Sequence, residues 1–354
     1  MRQSGGETAG NAPRPAGAAL NDLASAGLPY ILPAVRILFV TNTRIGDAVL
    51  STGLLSRLID QHPGARITIA CGAPAAPLFL AVPGLEAIYV IQKERHGRHW
   101  LRLWWRLARR SWDVIVDLRA SALAYLLLAH RRFVMRPSSE PEHRLFQLAR
   151  VVGAETPFPP RIWIGPEHWS AAPKLVPDGP PVLAVGPTAN WRGKMWRGAR
   201  FSELIARLTA PDGILPNARV AVFGAMAERN LAQSVLAAIR PPRRIDLVGK
   251  IDLLTAFTVL RRCAMFIGND SGLMHIAATA GIPTLGLFGP SRAEVYAPWG
   301  ELASVVRTPI PYETLVGSPG YDHHTTDTLM DSLTVDMVEA AAIELYRRSV
   351  GEAA

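Results

Sequence analysis

The chain has 354 residues, 49% of them hydrophobic, and a mean hydropathy of +0.14, which is enough apolar material for two ordinary cores and suggests two domains. Its most apolar run, SALAYLLLA at 121–129, stops at His130, Arg131 and Arg132, well short of the ~18 residues a spanning helix needs, so an integral membrane protein is excluded. Of the formal charge of +9, six sit between Lys93 and Arg110 (seven Lys/Arg against one Glu), which points to an anionic partner held at one surface rather than a chain that coats nucleic acid.

Residues 1–34 are rich in Gly, Ala and Pro with no apolar signal-like stretch, and read as a disordered extension of a cytoplasmic protein. From Val35 onward short β-branched runs alternate with amphipathic helical stretches. VRILFVT (35–41), ARITIA (65–70), EAIYVI (86–91) and WDVIVDL (112–118) read as strands; 46–63 reads as a helix, with Val49, Leu50, Leu54, Leu58 and Ile59 on one face. Segment 165–181 holds five prolines without periodicity and reads as an interdomain linker. Strands then resume at 181–187, 219–224, 244–249, 264–270 and 283–289, and a closing helix is expected over 334–349. This repetition predicts an α/β protein: two Rossmann-like, doubly wound parallel-sheet domains facing across a cleft, one over 35–165 and one over 182–332, joined by 166–181, with 333–354 packing back on the first domain. Ligands in such folds sit beyond the carboxyl ends of strands, so the loops after strands should carry the chemistry.

In TNTRIGDAV (41–49), Asp47 falls at the start of a helix. It is either a helix cap or a carboxylate facing the cleft as a general base, with Arg44 beside it as an anion contact. VGPTANWRGKMW (185–196) lacks the spacing and the Ser/Thr of a nucleoside-triphosphate loop, yet Lys194 between strand and helix can reach a phosphate. In VFGAMAERN (222–230), Glu228 is either a helix-start acid or a ribose ligand. FIGNDSGLMHIAATAG (266–281) brings Asp270, Ser271 and Gly272 to a helix N-terminus, a favourable place for a phosphate. His275 lies one turn on, as a ligand contact or a core histidine; no nucleophile elbow is present, so a serine hydrolase is excluded.

Two other features stand apart from the strand ends. In KERHGRHWLRLWWRLARR (93–110), Arg98, Arg102, Arg106 and Arg109 share a helical face beside a stripe of Trp100, Leu103, Trp104 and Leu107. That pattern fits a helix lying on an anionic membrane or acceptor surface; a packed helix with solvated arginines is the plainer alternative. Asp322-His323-His324 has no further ligand at metal spacing, and Cys71 and Cys263 offer neither a disulfide framework nor a zinc site, so no metal is expected.

These loops, in this order, resemble glycosyltransferase family 9, typified by ADP-heptose:lipopolysaccharide heptosyltransferases. The resemblance rests on RILFVTNTRIGDAVLSTGLLSRL, KMW, FGAMAERNLA and, most specifically, FIGNDSGLMHIAATAGIPTLGLFGPS, and spans about residues 35–348. It implies a GT-B fold with the acceptor on the first domain and the nucleotide-sugar on the second, and a metal-independent, inverting glycosyltransferase with no cofactor beyond its ADP-heptose substrate. By position it implies Asp47 as base, Lys194 with Asp270, Ser271, Gly272 and His275 at the donor diphosphate and sugar, and Glu228 at the ribose. The implied acceptor is a lipopolysaccharide core or related lipid-linked saccharide at the inner face of the plasma membrane, with the basic helix against that surface. A donor other than ADP-heptose for a different glycolipid, or a non-catalytic sugar-nucleotide binder, are the competing readings.

Overall fold

The computed structural model describes residues 34–351, apart from 93, 138–140, 319–320 and 323–324. The expected N-terminal extension (Ala34 excepted), Lys93 and the His323-His324 pair therefore lie outside the described residues.

Two all-parallel sheets carry the fold. The first contains β1 (Arg36–Val40), β2 (Arg66–Cys71), β3 (Leu85–Val90), β4 (Trp112–Asp117) and β5 (Ala129–Val134) in the order β3-β2-β1-β4-β5. The second contains β6 (Val182–Gly186), β7 (Arg219–Val222), β8 (Arg244–Asp246), β9 (Met265–Asn269), β10 (Thr284–Phe288) and β11 (Ala303–Arg307) in the order β11-β10-β9-β6-β7-β8. Each sheet starts at its centre, winds outward, then returns to the other side. The reversal falls between β1 and β4 in the first sheet and between β6 and β9 in the second, and a ligand crevice opens at such points. The central strands β1, β6, β9 and β10 are buried almost throughout, as strands covered on both faces must be.

The crossover elements, in chain order, are α1 (Ile45–Gln61), α2 (Arg98–Leu107), α3 (Leu123–Leu126), α4 (Arg144–Val151), α5 (Pro166–Leu175), α6 (Gly198–Leu208), α7 (Arg229–Ala238), α8 (Leu253–Leu260), α9 (Gly272–Thr279), α10 (Ala293–Tyr296), α11 (Tyr312–Val316) and α12 (Val335–Val350). One apolar cluster runs from Ile37, Phe39 and Leu54 under the first sheet to Phe223, Val259 and Met274 in the second, so the two halves share a core where α1 meets α9. No helix among the described residues is long and apolar enough to cross a membrane.

Three expectations need correction. The segment after Gly165 is a helix, α5, rather than an irregular linker: Pro166 occupies the first turn, where its missing N–H costs nothing, and the Thr258 hydroxyl of α8 donates to His168 O to dock it. The closing helix α12 packs on the second sheet, not on the first domain. Val338, Ala342 and Leu345 join the core of Leu204, Leu208 and Leu287, and Arg207 of α6 bonds Asp336 and Glu339. Finally, β5 (AHRRFV) and β11 (ASVVR) were not foreseen. Both are edge strands, and β5 in particular carries charge on its solvated side, which erases the apolar run that marks a central strand.

Candidate functional site

The loops after β1, β6, β7 and β9 converge on one cavity of about 600 Å³ between the sheets. Arg44, Asp47, Lys194, Glu228, Asp270, Ser271, Gly272 and His275 all line it. Thus every residue singled out at a strand end is brought to one place.

Convergence depends on two helix N-termini that nearly touch. A Cβ on Gly272 would lie 2.6 Å from the Ile45 side chain and 3.1 Å from Gly46 N, and a Cβ on Gly46 would press on the His275 ring at 3.1 Å. The first turns of α1 and α9 therefore meet through two glycines, and the partial positive charge of both helix ends is directed at the cavity.

Asp47 sits in the first turn of α1 but does not cap it. The N-cap is Arg44, which offers no side-chain bond. Asp47 Oδ1 is buried without a hydrogen-bond partner among the described residues, and Arg144 Nε stands 3.9 Å from it. Burial pushes the Asp47 carboxyl above its ordinary range; Arg144 and Arg44 pull the other way without overcoming it. A buried carboxylate held this way is a better proton acceptor than one in water.

Opposite it, Lys194 Nζ donates to Asp270 Oδ2 at 2.5 Å. The lysine loop is anchored on both sides. Leu329 N donates to Gly193 O, the Thr328 hydroxyl to Met195 O, Trp196 N to Asn269 Oδ1, and Trp196 Nε1 to Leu333 O. Arg197 adds a two-pronged pair with Asp331. Ser271 is the N-cap of α9, yet its hydroxyl makes no capping bond, so it does not occupy the helix terminus.

Glu228 combines both of its readings. One carboxylate oxygen accepts from Ala225 N at 2.8 Å and from the Thr188 hydroxyl at 2.9 Å, closing the turn that starts α7 while holding the acid at the cavity wall. Beyond it the cavity becomes apolar, lined by Phe223, Met226, Leu247, Ile251, Leu253 and Ala256. His275 is buried, as a core histidine would be, but its Nδ1 has no partner among the described residues and its ring edges the cavity.

Burial pushes the His275 imidazole down to about 4, helped by His143 and Lys194 and opposed by Asp270. A histidine whose folded pKa lies below its unfolded value binds its proton more readily when unfolded. Its contribution to stability is complete above pH ~6.5 and is lost as pH falls toward 4, by on the order of 3 kcal/mol. Urea unfolding followed from pH 7.5 to 4 should show this loss, and a His275→Gln variant should lack that part of it; an unchanged pH profile in the variant would remove His275 as the source.

Sequence reasoning missed the residues contributed by α4 and α10. His143 Nδ1 accepts from Leu145 N, which leaves Nε2 as the donor to Ala297 O at 3.0 Å; the imidazole is neutral, and burial lowers its pKa. It thereby ties the first half of the chain to the second, with Trp299 stacked against it. Arg144 follows it toward Asp47, and Tyr296 also lines the cavity. The only trace of these groups in the sequence is HR at a helix start, which has no distinctive spacing. The GPS turn at 289–291, which follows β10, is not among the residues lining the cavity; Gly289 instead faces Met330.

The basic helix lies apart from the cavity. Trp100 and Trp104 belong to its packed face: Arg119 stacks over the Trp100 ring at 5.1 Å, and Trp104 Nε1 donates to Leu126 O at 3.1 Å, above a core of Leu103, Leu107 and Trp112. Arg98, Arg102, Arg106 and Arg109 are exposed, with Arg102 paired to Glu94; none of the six lines the cavity. Among the described residues no group of three or more His, Cys, Asp or Glu could hold a metal ion.

Two doubly wound domains with a cavity between their strand ends, bearing a buried carboxylate opposite a lysine and a helix terminus, have the architecture of the GT-B class. The family model for glycosyltransferase family 9 (heptosyltransferase) matches residues 118–316, and the chain belongs to that family. Lipopolysaccharide heptosyltransferase 2 of Salmonella typhimurium is 23% identical over 328 residues, covering 77% of this chain and 88% of that relative. Among solved structures, a family 9 glycosyltransferase of Veillonella parvula superposes with a TM-score of 0.72 at 21% identity, covering 90% of this chain and 98% of that one. The Escherichia coli ADP-heptose lipopolysaccharide heptosyltransferase II superposes at 0.70 with 20% identity, covering 89% and 100%.

Proposed function

We propose that this glycosyltransferase moves a heptose from ADP-heptose to a lipopolysaccharide core or a related lipid-linked saccharide, in one displacement that inverts the anomeric carbon. The observation that carries the reading is the Asp47 carboxylate, its buried Oδ1 without a hydrogen bond among the described residues, in the same cavity as the Lys194–Asp270 pair and the N-terminus of α9. The acceptor hydroxyl gives its proton to Asp47 as its oxygen bonds the anomeric carbon. The bond from that carbon to the diphosphate breaks on the opposite side, and the charge growing on the leaving ADP is met by Lys194, the Ser271 hydroxyl and the backbone N–H groups of the first turn of α9. Asp270 acts as a positioning residue that holds the ammonium in place.

The donor belongs to the second sheet in this reading: the base in the apolar end near Phe223 and Leu253, the ribose at Glu228, the diphosphate between Lys194 and Ser271. The acceptor belongs to the first sheet, where Arg44 and Arg144 offer two cations to an anionic saccharide beside the base. The domains then run 35–165 and 182–332, with α5 as the element between them. The exposed arginines of α2 face an anionic membrane in which the acceptor is anchored, which makes this a peripheral protein of the cytoplasmic membrane face.

Thermal unfolding with ADP, UDP, GDP or CMP tests the donor. Saturation near 100 times Kd stabilises a fold by ~2.7 kcal/mol, a visible shift in Tm. A shift with ADP well above the others is expected, followed by transfer from ADP-heptose; preference for another nucleotide would replace the donor, and no shift with any of them would count against the site.

A further inference from the structure

The first domain has an exposed apolar surface that the chemistry above does not use. Leu101 and Trp105 on α2, and Tyr125, Leu126 and Leu128 at the turn from α3 into β5, are each 60–72% exposed. Five of the six backbone carbonyls from Ala124 to Ala129 accept a hydrogen bond from within the protein. Arg132 reaches back to donate to Ala124 O at 2.8 Å, Leu127 O at 2.7 Å and Ala129 O at 3.0 Å; Trp104 Nε1 bonds Leu126 O, and Trp112 N bonds Leu128 O at 2.9 Å. Tyr125 N and Leu126 N both donate to Ala122 O. Leu127 is buried and pins the turn to the core of Leu103, Leu107 and Trp112.

Such a turn is built to leave water. Exposed backbone carbonyls cost most when they enter a low-dielectric layer, and here five of the six are already bonded within the protein while the large apolar side chains are exposed. The patch is rimmed by cations: Arg98, Arg102, Arg106 and Arg109 on α2, and Arg131 on the edge strand β5, all exposed. Leucines with aromatic residues at a cationic rim match the layered polarity of an anionic bilayer surface, where acyl chains lie just beneath charged headgroups.

We propose that the α3–β5 turn is a membrane wedge. Leu126 and Leu128 enter the acyl boundary of an anionic bilayer, Tyr125, Leu101 and Trp105 lie at the headgroup level, and the surrounding arginines bind lipid phosphates. The inference rests on the reading of the acceptor as lipid-linked and adds the contact that brings the enzyme to it. Leu128 lies at the amino end of β4, far from the cavity, whereas Arg119 and Trp100 stack at the end of β4 and α2 nearest to it. The ten residues of α2 span about 15 Å. The wedge therefore seats the membrane along this face, at the end of the sheet away from the cavity.

The test is co-sedimentation of the full chain with vesicles of phosphatidylethanolamine and phosphatidylglycerol, compared with pure phosphatidylcholine vesicles. Wild type should bind the anionic vesicles, L126E/L128E should bind them about tenfold or more weakly, and Val350→Glu, a change at an exposed apolar residue of α12, should bind as wild type does. Equal Tm shifts with ADP in all three proteins would show that folding and the donor site are intact. Equal vesicle binding by L126E/L128E, or no binding by wild type, would overturn the wedge. A wild-type dimer in sedimentation that L126E/L128E dissociates would overturn it in favour of a second copy covering the patch. Failure of the heptosyl reading would be seen separately, in transfer to a detergent-free soluble acceptor without vesicles.

Discussion

Asp47→Asn should abolish most transfer while making the protein more stable. The amide keeps the shape of the side chain but cannot take a proton, so kcat should fall by about 10²–10⁴, the usual contribution of a positioned general base. The Tm shift with ADP should be preserved, because the donor contacts belong to the second sheet. The stability gain follows from the raised pKa of Asp47, whose first cause is burial. With the folded pKa above the unfolded one, the carboxyl favours folding when protonated, and that contribution is lost as pH rises through the folded pKa. At neutral pH wild type carries the cost of an ionised, buried Oδ1 that no hydrogen bond satisfies, and the variant does not. Asp47→Asn should therefore melt above wild type at pH 7.5, with the gap closing as the pH is lowered through the raised pKa. Calorimetry at several pH values, with transfer assays on the same samples, checks both halves. Unchanged transfer would remove Asp47 from the mechanism; a variant less stable than wild type at neutral pH would mean that Arg144 compensates the charge.

Lys194→Ala should have the opposite sign on stability. Its ammonium meets a charge that grows on the leaving diphosphate, so kcat should fall by about 10²–10³, as for the loss of one preorganised donor at a developing oxyanion. The substitution also strands Asp270, whose side chain is only 8% exposed. Breaking a buried pair from one side is costly, here on the order of 2–3 kcal/mol because the lysine end retains some water. The double variant Lys194→Ala/Asp270→Asn removes the stranded charge, so it should recover most of the lost stability without recovering transfer. Urea unfolding and kcat measured on the two single variants and the double form a closed cycle. Recovery of transfer in the double variant would show that the loss in Lys194→Ala came from misfolding at Asp270, not from a missing cation at the diphosphate.

The strands buried on both faces, the four loops that follow them and the family resemblance were all legible in the chain, because each is written locally. A β-branched run followed a few residues on by Gly-Asp at a helix start, or running into Asn-Asp-Ser-Gly, marks a strand end whatever lies around it. The edge strand β5 and the helix α5 were not legible, since solvated charges in the one and prolines in the other interrupt the periodicity on which such readings depend.

What the sequence by itself determined was the architecture of two doubly wound sheets and the residue types at their strand ends. Tertiary structure alone decided what those residues are. Asp47 could have capped its own helix; the near contact of Gly46 and Gly272 instead buries it against the second domain, where no donor reaches Oδ1 and its proton affinity rises. Glu228 turned out to be both a turn-closing acid and a cavity wall, and Trp100 and Trp104, which periodicity marks as an apolar stripe, cover a core while Leu101 and Trp105 on the other face remain in water. A helical pattern fixes which side chains share a face. Which face is buried, and which polar atom is left without a partner there, depends on chain segments tens to hundreds of residues away, and only packing brings those together.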